Sequence, residues 1–440
     1  MSTNNNSTKP TSIGDLWFMV GIECTQIVDV RHDLNPNMRE LEEFELMQHY
    51  SRWREDLDLI AKLNHGDRRV SKVRWCVPWH ICEPEPGVYD FTWTDAYVER
   101  ALELGIELIP DLVHYGCPRW LPQAFLDPTY PDRIAAFAKV VVERYKGKLH
   151  NWTPFNEPAV TAEFCGLLGQ WPPYEKSQSA YCRILAAIAI GMQKTIKVIR
   201  AIDPTITVWA AESTKNYHPM NDEAVPHCKL AVHRDLVVWD MVHGKVDENH
   251  ERFGWLTANG VTSEQLAELR ANAQTMDVLG LNFYPWLSQT YEWKDDRIVQ
   301  GWDWNGTFLI ELLREAHAYT GANVCLTETS AHGGGGAKSQ TAVDNCPDFR
   351  IRWMDETMWA MEQARREGIP VLGYTQYPLF TMVDWKYRVE PGTVQDYFVH
   401  FGMIEVDGMD FSRKWTPVAD RFLFHMEHFP RTFDADKAVK

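Results

Sequence analysis

Eight short apolar runs alternate with longer helical patterns along this chain, and that alternation leaves few folds open. The runs are 16–24, 70–79, 106–114, 151–155, 206–211, 278–283, 324–327 and 371–377. They are short, apolar and separated by turn residues, as strands buried on both faces should be. Helical periodicity fills 50–63, 94–104, 134–145, 178–202, 306–319 and 349–367. Gly105, Gly147, Gly321 and Gly368 stand where four of these stretches end, the position at which helices turn left-handed. Strand–helix alternation predicts an α/β chain, and eight such units predict a (β/α)8 TIM barrel. An open doubly wound sheet competes with this, but such sheets open on a Gly-rich turn, and no GxGxxG follows the first run. No repeat or Pro/Gly/Ser linker divides the sequence, so 1–440 read as a single barrel domain, with 1–12 a disordered tail. Long βα loops at 212–254 and 284–305 read as the rim of a site. The second carries Trp286, Tyr291, Trp293, Trp302 and Trp304, which either face a ligand or pack the loop onto the barrel.

Lys and Arg number 44 against 61 Asp and Glu, a net charge of −17 that argues against nucleic-acid and anionic-membrane partners. The nine cysteines include no CxxC pair, which speaks against structural zinc and a disulfide framework. The N-terminus lacks the apolar core of a secretory leader, and no stretch approaches the ~18 apolar residues of a membrane span. These features predict a reduced, cytoplasmic protein, with a homo-oligomer left open. His218, His227, His233, His243 and His250 cluster in sequence without metal-ligand spacing, so no metal is assigned, and a metal-dependent hydrolase stays a minor alternative. The run Gly333–Gly336 after His332 lacks the Lys-Ser/Thr of a phosphate loop and reads as a flexible rim.

Two carboxylates stand at strand ends. Glu157 follows the fourth run in Asn156-Glu157-Pro158, and Glu328 follows the seventh in Leu326-Thr327-Glu328-Thr329. A charge there must be solvated, paired or functional. In a barrel the fourth and seventh strands face each other across the mouth, so both groups can reach one sugar-sized substrate. Glycoside hydrolysis uses such a pair, one carboxyl protonated to serve the leaving oxygen and one ionised to attack the anomeric carbon. A separation of about 5–5.5 Å gives double displacement with retention. Arg74, near the end of the second run, is a candidate to keep one of them ionised, and Tyr284 to donate a hydrogen bond to it.

The motifs around these residues resemble glycoside hydrolase family 1, the β-glucosidases and their relatives. Residues 152–158, Trp-Thr-Pro-Phe-Asn-Glu-Pro, resemble its acid/base motif. His114-Tyr115-Gly116-Cys117-Pro118 resembles His-Trp-Asp-Leu-Pro, 280–284 resembles Gly-x-Asn-Tyr-Tyr, and Leu326-Thr327-Glu328 resembles the nucleophile strand. Gly373-Tyr374, the segment 401–407 and Arg413-Lys414 continue the match in family order. The resemblance implies Glu157 as acid/base, Glu328 as nucleophile and no cofactor. It implies Arg74 and Tyr284 as supports of the nucleophile, and Asn156, Asn282 and His114 as sugar ligands. Departures fall on the sugar side. Tyr115 and Tyr377 replace tryptophans, and Asp384, before Trp385, stands where the family has a glutamate that grips sugar hydroxyls. Glu23 and Gln26 are the nearest matches to a first-strand glutamine. The expected activity is that of a retaining β-glycosidase on a small glycoside or oligosaccharide. Transglycosylation by the same mechanism and a non-catalytic sugar-binding barrel are the alternatives.

Overall fold

The computed structural model describes residues 14–303, 306–331 and 347–431. The tail 1–12, Trp304, His332, the Gly333–Gly336 run and Cys346 lie outside the described residues, as does the side chain of His233. Eight parallel strands form the centre: β1 (Trp17–Gly21), β2 (Lys72–Cys76), β3 (Glu107–Asp111), β4 (Asn151–Trp152), β5 (Thr207–Ser213), β6 (Val278–Asn282), β7 (Asn323–Thr329) and β8 (Val371–Gln376). β1 pairs with both β2 and β8, and pairing continues from β8 through β7, β6 and β5 to β4. Between β3 and β4 only single bridges remain, Asp111 to Thr153 and His114 to Asn156. Pro110, whose carbonyl accepts from Thr153 N, lacks the N–H that a continuous ladder there requires, while Pro154 falls on the β5 side and cuts short the β4–β5 ladder. With those bridges the sheet closes into a barrel.

The helices surround it: α1 (His49–Ala61), α2 (Thr92–Glu103), α3 (Tyr130–Arg144), α4 (Gln178–Ile202), α5 (Val225–Val242), α6 (Gly306–Thr320), α7 (Pro347–Arg366) and α8 (Pro417–His428). Gly105, Gly147, Gly321 and Gly368 all have φ between 70° and 84°, the left-handed conformation that ends a helix cheaply only in glycine. Inside the barrel, Met19, Ile109, Trp209 and Cys325 form a buried layer with Val278. The first four come from β1, β3, β5 and β7, the alternate-strand layering of a filled barrel. The barrel interior below the strand ends is therefore filled by side chains.

Two sequence expectations need correction. The segment 212–254 is not one long loop: β5 runs on to Ser213, a short strand Asn216–Pro219 follows, and α5 occupies Val225–Val242. Apolar residues lie all round α5, so its sequence shows no single-face period. The described part of the segment 284–305, residues 284–303, contains a 3₁₀ turn, Pro285–Leu287, and an antiparallel hairpin of Ser288–Lys294 with Arg297–Trp302. Among the described residues, no helix is long and apolar enough to cross a membrane.

Candidate active site

The C-terminal ends of the strands enclose a cavity of about 460 Å³. Glu157 reaches it from an unusual backbone position. Its φ of 47° places a non-glycine residue in the left-handed region, where it caps the short helix Pro158–Ala162. Such a conformation costs of order 1–3 kcal/mol and persists only when the surroundings fix it. Here the Glu157 N–H donates to Ala211 O at 2.9 Å, and Asn156 bridges both His114 and Ala211. Glu328 lies within β7 rather than beyond it. The register of β6 against β7 slips between Leu281 and Asn282, so that Asn282 stands opposite Glu328 and Thr327 is the extra residue. A bulge of this kind re-aims the next side chain, and here it directs Glu328 toward the cavity.

The two carboxyls have different partners. Arg74 Nη1 donates to Glu328 Oε1 at 2.6 Å, and Tyr284 OH donates to Glu328 Oε2 at 2.8 Å. At Glu157, Tyr115 OH donates to Oε2 at 2.6 Å and Asn282 Nδ2 to Oε1 at 2.9 Å. Arg74 is fully buried and also donates through Nη2 to Asp111 Oδ2 at 2.8 Å and Asn156 Oδ1 at 3.0 Å. Asn282 is held in turn, its Oδ1 accepting from Thr327 Oγ1 at 2.7 Å.

Burial pushes both Glu157 and Glu328 above the ordinary carboxylate range. At Glu328 the Arg74 guanidinium works against this, while the charge of Glu157 adds to it. At Glu157 the hydrogen bonds from Tyr115 and Asn282 lead the opposition, followed by the charges of His114 and Arg74. Burial also lifts both tyrosine hydroxyls well above their usual range, which keeps them protonated donors. Asp111 goes the other way: burial favours its neutral form, but Arg74 and His114 hold it below the usual range.

Glu23, Tyr115, Glu157, Tyr284, Glu328, Asp384 and Trp385 line the cavity. Arg74, His114, Asn156, Asn282 and Tyr377 lie behind this wall, each at most 2% exposed. His114 Nδ1 sits 2.9 Å from Asp111 Oδ2, and its Nε2 lies 3.2 Å from both Asn156 Nδ2 and Tyr377 OH. Tyr377 packs over β1 where Gly21 leaves room, since a Cβ there would meet the tyrosine ring at 2.0 Å. Gln26 pairs with Glu42 and does not reach the cavity, so Glu23 is the first-strand group that does.

Of the aromatic residues after Tyr284, Trp286 lines the cavity and stacks on Tyr284. Tyr291 packs on Tyr217 and Trp293 on His227, which anchors the hairpin instead. Sequence reading missed Asp111, Glu163, Phe164, Lys215 and Phe401. Asp111 carried the same signal as the two glutamates, a charge at a strand end. The described histidine side chains of 218–250 do not converge: His218 stacks on Phe308, His227 on Trp293, His243 bonds Trp239 O and His250 faces Asp240.

The family model of glycosyl hydrolase family 1 matches residues 35–300. Beta-glucosidase A of Thermotoga maritima is 22% identical over 384 residues, covering 82% of each chain. Beta-glucosidase 28 of Arabidopsis thaliana is 22% identical over 456 residues, covering 88% of this chain and 76% of the relative. The solved family 1 β-glucosidase of Thermotoga maritima superposes with a TM-score of 0.77 at 17% identity, over 96% of this chain and 99% of that one. The same enzyme in complex with glucoimidazole gives a TM-score of 0.80. The chain belongs to glycosyl hydrolase family 1 and is a glycoside hydrolase on a (β/α)8 barrel.

Proposed function

We propose that the chain acts as one barrel domain that hydrolyses a β-linked glucoside or related small glycoside, with Glu328 as nucleophile and Glu157 as acid/base. The observation that carries this assignment is Arg74. It places a full positive charge 2.6 Å from Glu328, while Glu157 has only neutral donors. Two buried carboxyls that share a cavity favour one common proton, and the negative charge is cheapest beside the guanidinium. Glu328 is then ionised and Glu157 protonated.

In the first step a Glu328 oxygen bonds the anomeric carbon as the bond to the leaving oxygen breaks, and the Glu157 proton passes to that oxygen. In the second, Glu157 takes a proton from water, the water oxygen bonds the anomeric carbon, and the ester to Glu328 breaks. Both carboxylates end as they began, so the cycle closes without a cofactor. Glu23, Asp384 and Trp385 form the wall assigned to the sugar hydroxyls. One Asp384 oxygen already accepts from Lys386 N at 2.9 Å, so this side chain, one methylene shorter than a glutamate, offers less to the sugar. That favours a sugar other than one gripped through two hydroxyls at this position. None of the eight described cysteines forms a disulfide, which fits a reducing, cytoplasmic setting.

The test is hydrolysis of a panel of aryl β-glycosides by the wild type, Glu328→Ala and Glu157→Ala. Cleavage of at least one member, with a loss of about three or more orders of magnitude in both variants, is the expected result. Equal activity in either variant would exclude the assignment.

A further inference from the structure

We propose that Cys24, Asp111 and His114 form a binding site for a soft divalent cation of the zinc and cadmium class, behind the wall of the sugar cavity. The three residues come from the chain after β1, the end of β3 and the segment after β3, and all are fully buried. Cys24 Sγ lies 3.3 Å from His114 Nδ1, and the same nitrogen lies 2.9 Å from Asp111 Oδ2. The three donor atoms all lie within 4.8 Å of one another. Thiolate, imidazole and carboxylate are the donors such cations take, with bonds of about 2.0–2.3 Å in tetrahedral geometry. Tetrahedral donors at those bond lengths stand roughly 3.3–3.8 Å apart, so the two His114 separations need to change by only about half an ångström or less to admit an ion.

A second sulfur is close. Cys76 Sγ lies 3.7 Å from Cys24 O, and Cys76 stands opposite Asp111 in the β2–β3 register. Two of the three donors, the Asp111 carboxylate and the Cys24 thiolate, bind a cation as anions. Arg74 opposes a cation through its bond to Asp111 Oδ2, yet Asp111 Oδ1 has no hydrogen-bond partner among the described residues. The site is coupled to the cavity wall, because His114 Nε2 contacts Asn156, which Arg74 also holds. An ion on Nδ1 therefore acts on the same network that supports Glu328.

The experiment is a titration of the full chain with Cd2+ at equilibrium, read by the thiolate-to-cadmium charge-transfer band. The expected result is a saturable band at one ion per chain. Its Kd rises at least tenfold in Cys24→Ser and Cys24→Ala and stays within twofold in Cys117→Ala. If neither Cys24 variant folds, His114→Gln carries the comparison with the same tenfold criterion. A wild type without a saturable band, or a Kd that changes less than tenfold in the site variants, overturns the proposal. The readout needs no turnover, so it stands or falls apart from the glycosidase assignment.

Discussion

Tyr115→Phe removes one hydroxyl and isolates its effect on Glu157, the carboxyl proposed as acid/base. The hydroxyl donates to Glu157 Oε2 at 2.6 Å inside a buried site, and Asn282 remains as the second donor. The ring itself packs against Trp171 and Trp385, with centroids 5.2 and 5.3 Å away, and phenylalanine keeps those contacts. A hydrogen bond to an ionised group contributes about 1.5–3 kcal/mol, and one between neutral groups about 0.5–1.5 kcal/mol. The hydroxyl therefore favours ionised over protonated Glu157 by roughly 1–1.5 kcal/mol, close to one pKa unit at about 1.36 kcal/mol per unit. Its loss raises the Glu157 pKa further. The alkaline limb of kcat/KM against pH, which reports loss of the acid's proton, moves up by about one unit. The acid limb, which reports protonation of Glu328, moves by less than about 0.3 unit, because Arg74 and Tyr284 are untouched. The assay is the pH profile of aryl β-glycoside hydrolysis by the two proteins. An alkaline limb that stays in place, or shifts downward, refutes the reasoning.

Arg74→Met leaves Asp111 and Glu328 buried without their shared cation, so urea unfolding should show a loss of about 3–5 kcal/mol. In the same variant the acid limb of the pH profile moves upward, since the proposed nucleophile Glu328 has lost the guanidinium that favours its ionised form. Burial raises Glu42 from an ordinary glutamate value of 4.5 to about 8. Its favourable contribution is complete below pH 4.5 and is lost as pH rises through about 8. Glu42→Gln should therefore gain stability relative to wild type across that window, by at most about 1.4 kcal/mol per pH unit, measured as the difference in Tm at several pH values. Asp384→Glu restores the longer carboxylate, and should raise kcat/KM for aryl β-glucoside relative to the other panel sugars. An unchanged ranking would show that Asp384 does not set sugar preference.

Seven of the eight strands were legible as short apolar runs bounded on at least one side by glycine, proline or charge, and 178–202 is the helix α4 residue for residue. Helix α5 was hidden by apolar residues spread around its whole surface. The shortness of β4 had a visible cause in Pro110 and Pro154, although only the paired strands show that Pro110 falls on the β3–β4 ladder and Pro154 on the β4–β5 ladder. Motif order gave Glu157 and Glu328, but not how they are presented. The left-handed backbone at Glu157 and the bulge at Thr327 arise from tertiary pairing, which leaves no local pattern. The choice between Glu23 and Gln26 turned on the irregular path after β1, where no strand periodicity fixes which side chain faces inward. The rule that singled out strand-end glutamates applied equally to Asp111, which sits at the centre of the Arg74–His114 network.

The central claim is that Glu328 forms a covalent bond to the sugar. Incubation with an activated 2-deoxy-2-fluoro-β-glycoside of the preferred sugar slows the second step and accumulates that intermediate. Proteolysis and mass spectrometry should then find one sugar per chain, attached at Glu328, and the wild type should release product with the β configuration first. Attachment at another residue, or first release of the α anomer without any labelled peptide, would contradict the account.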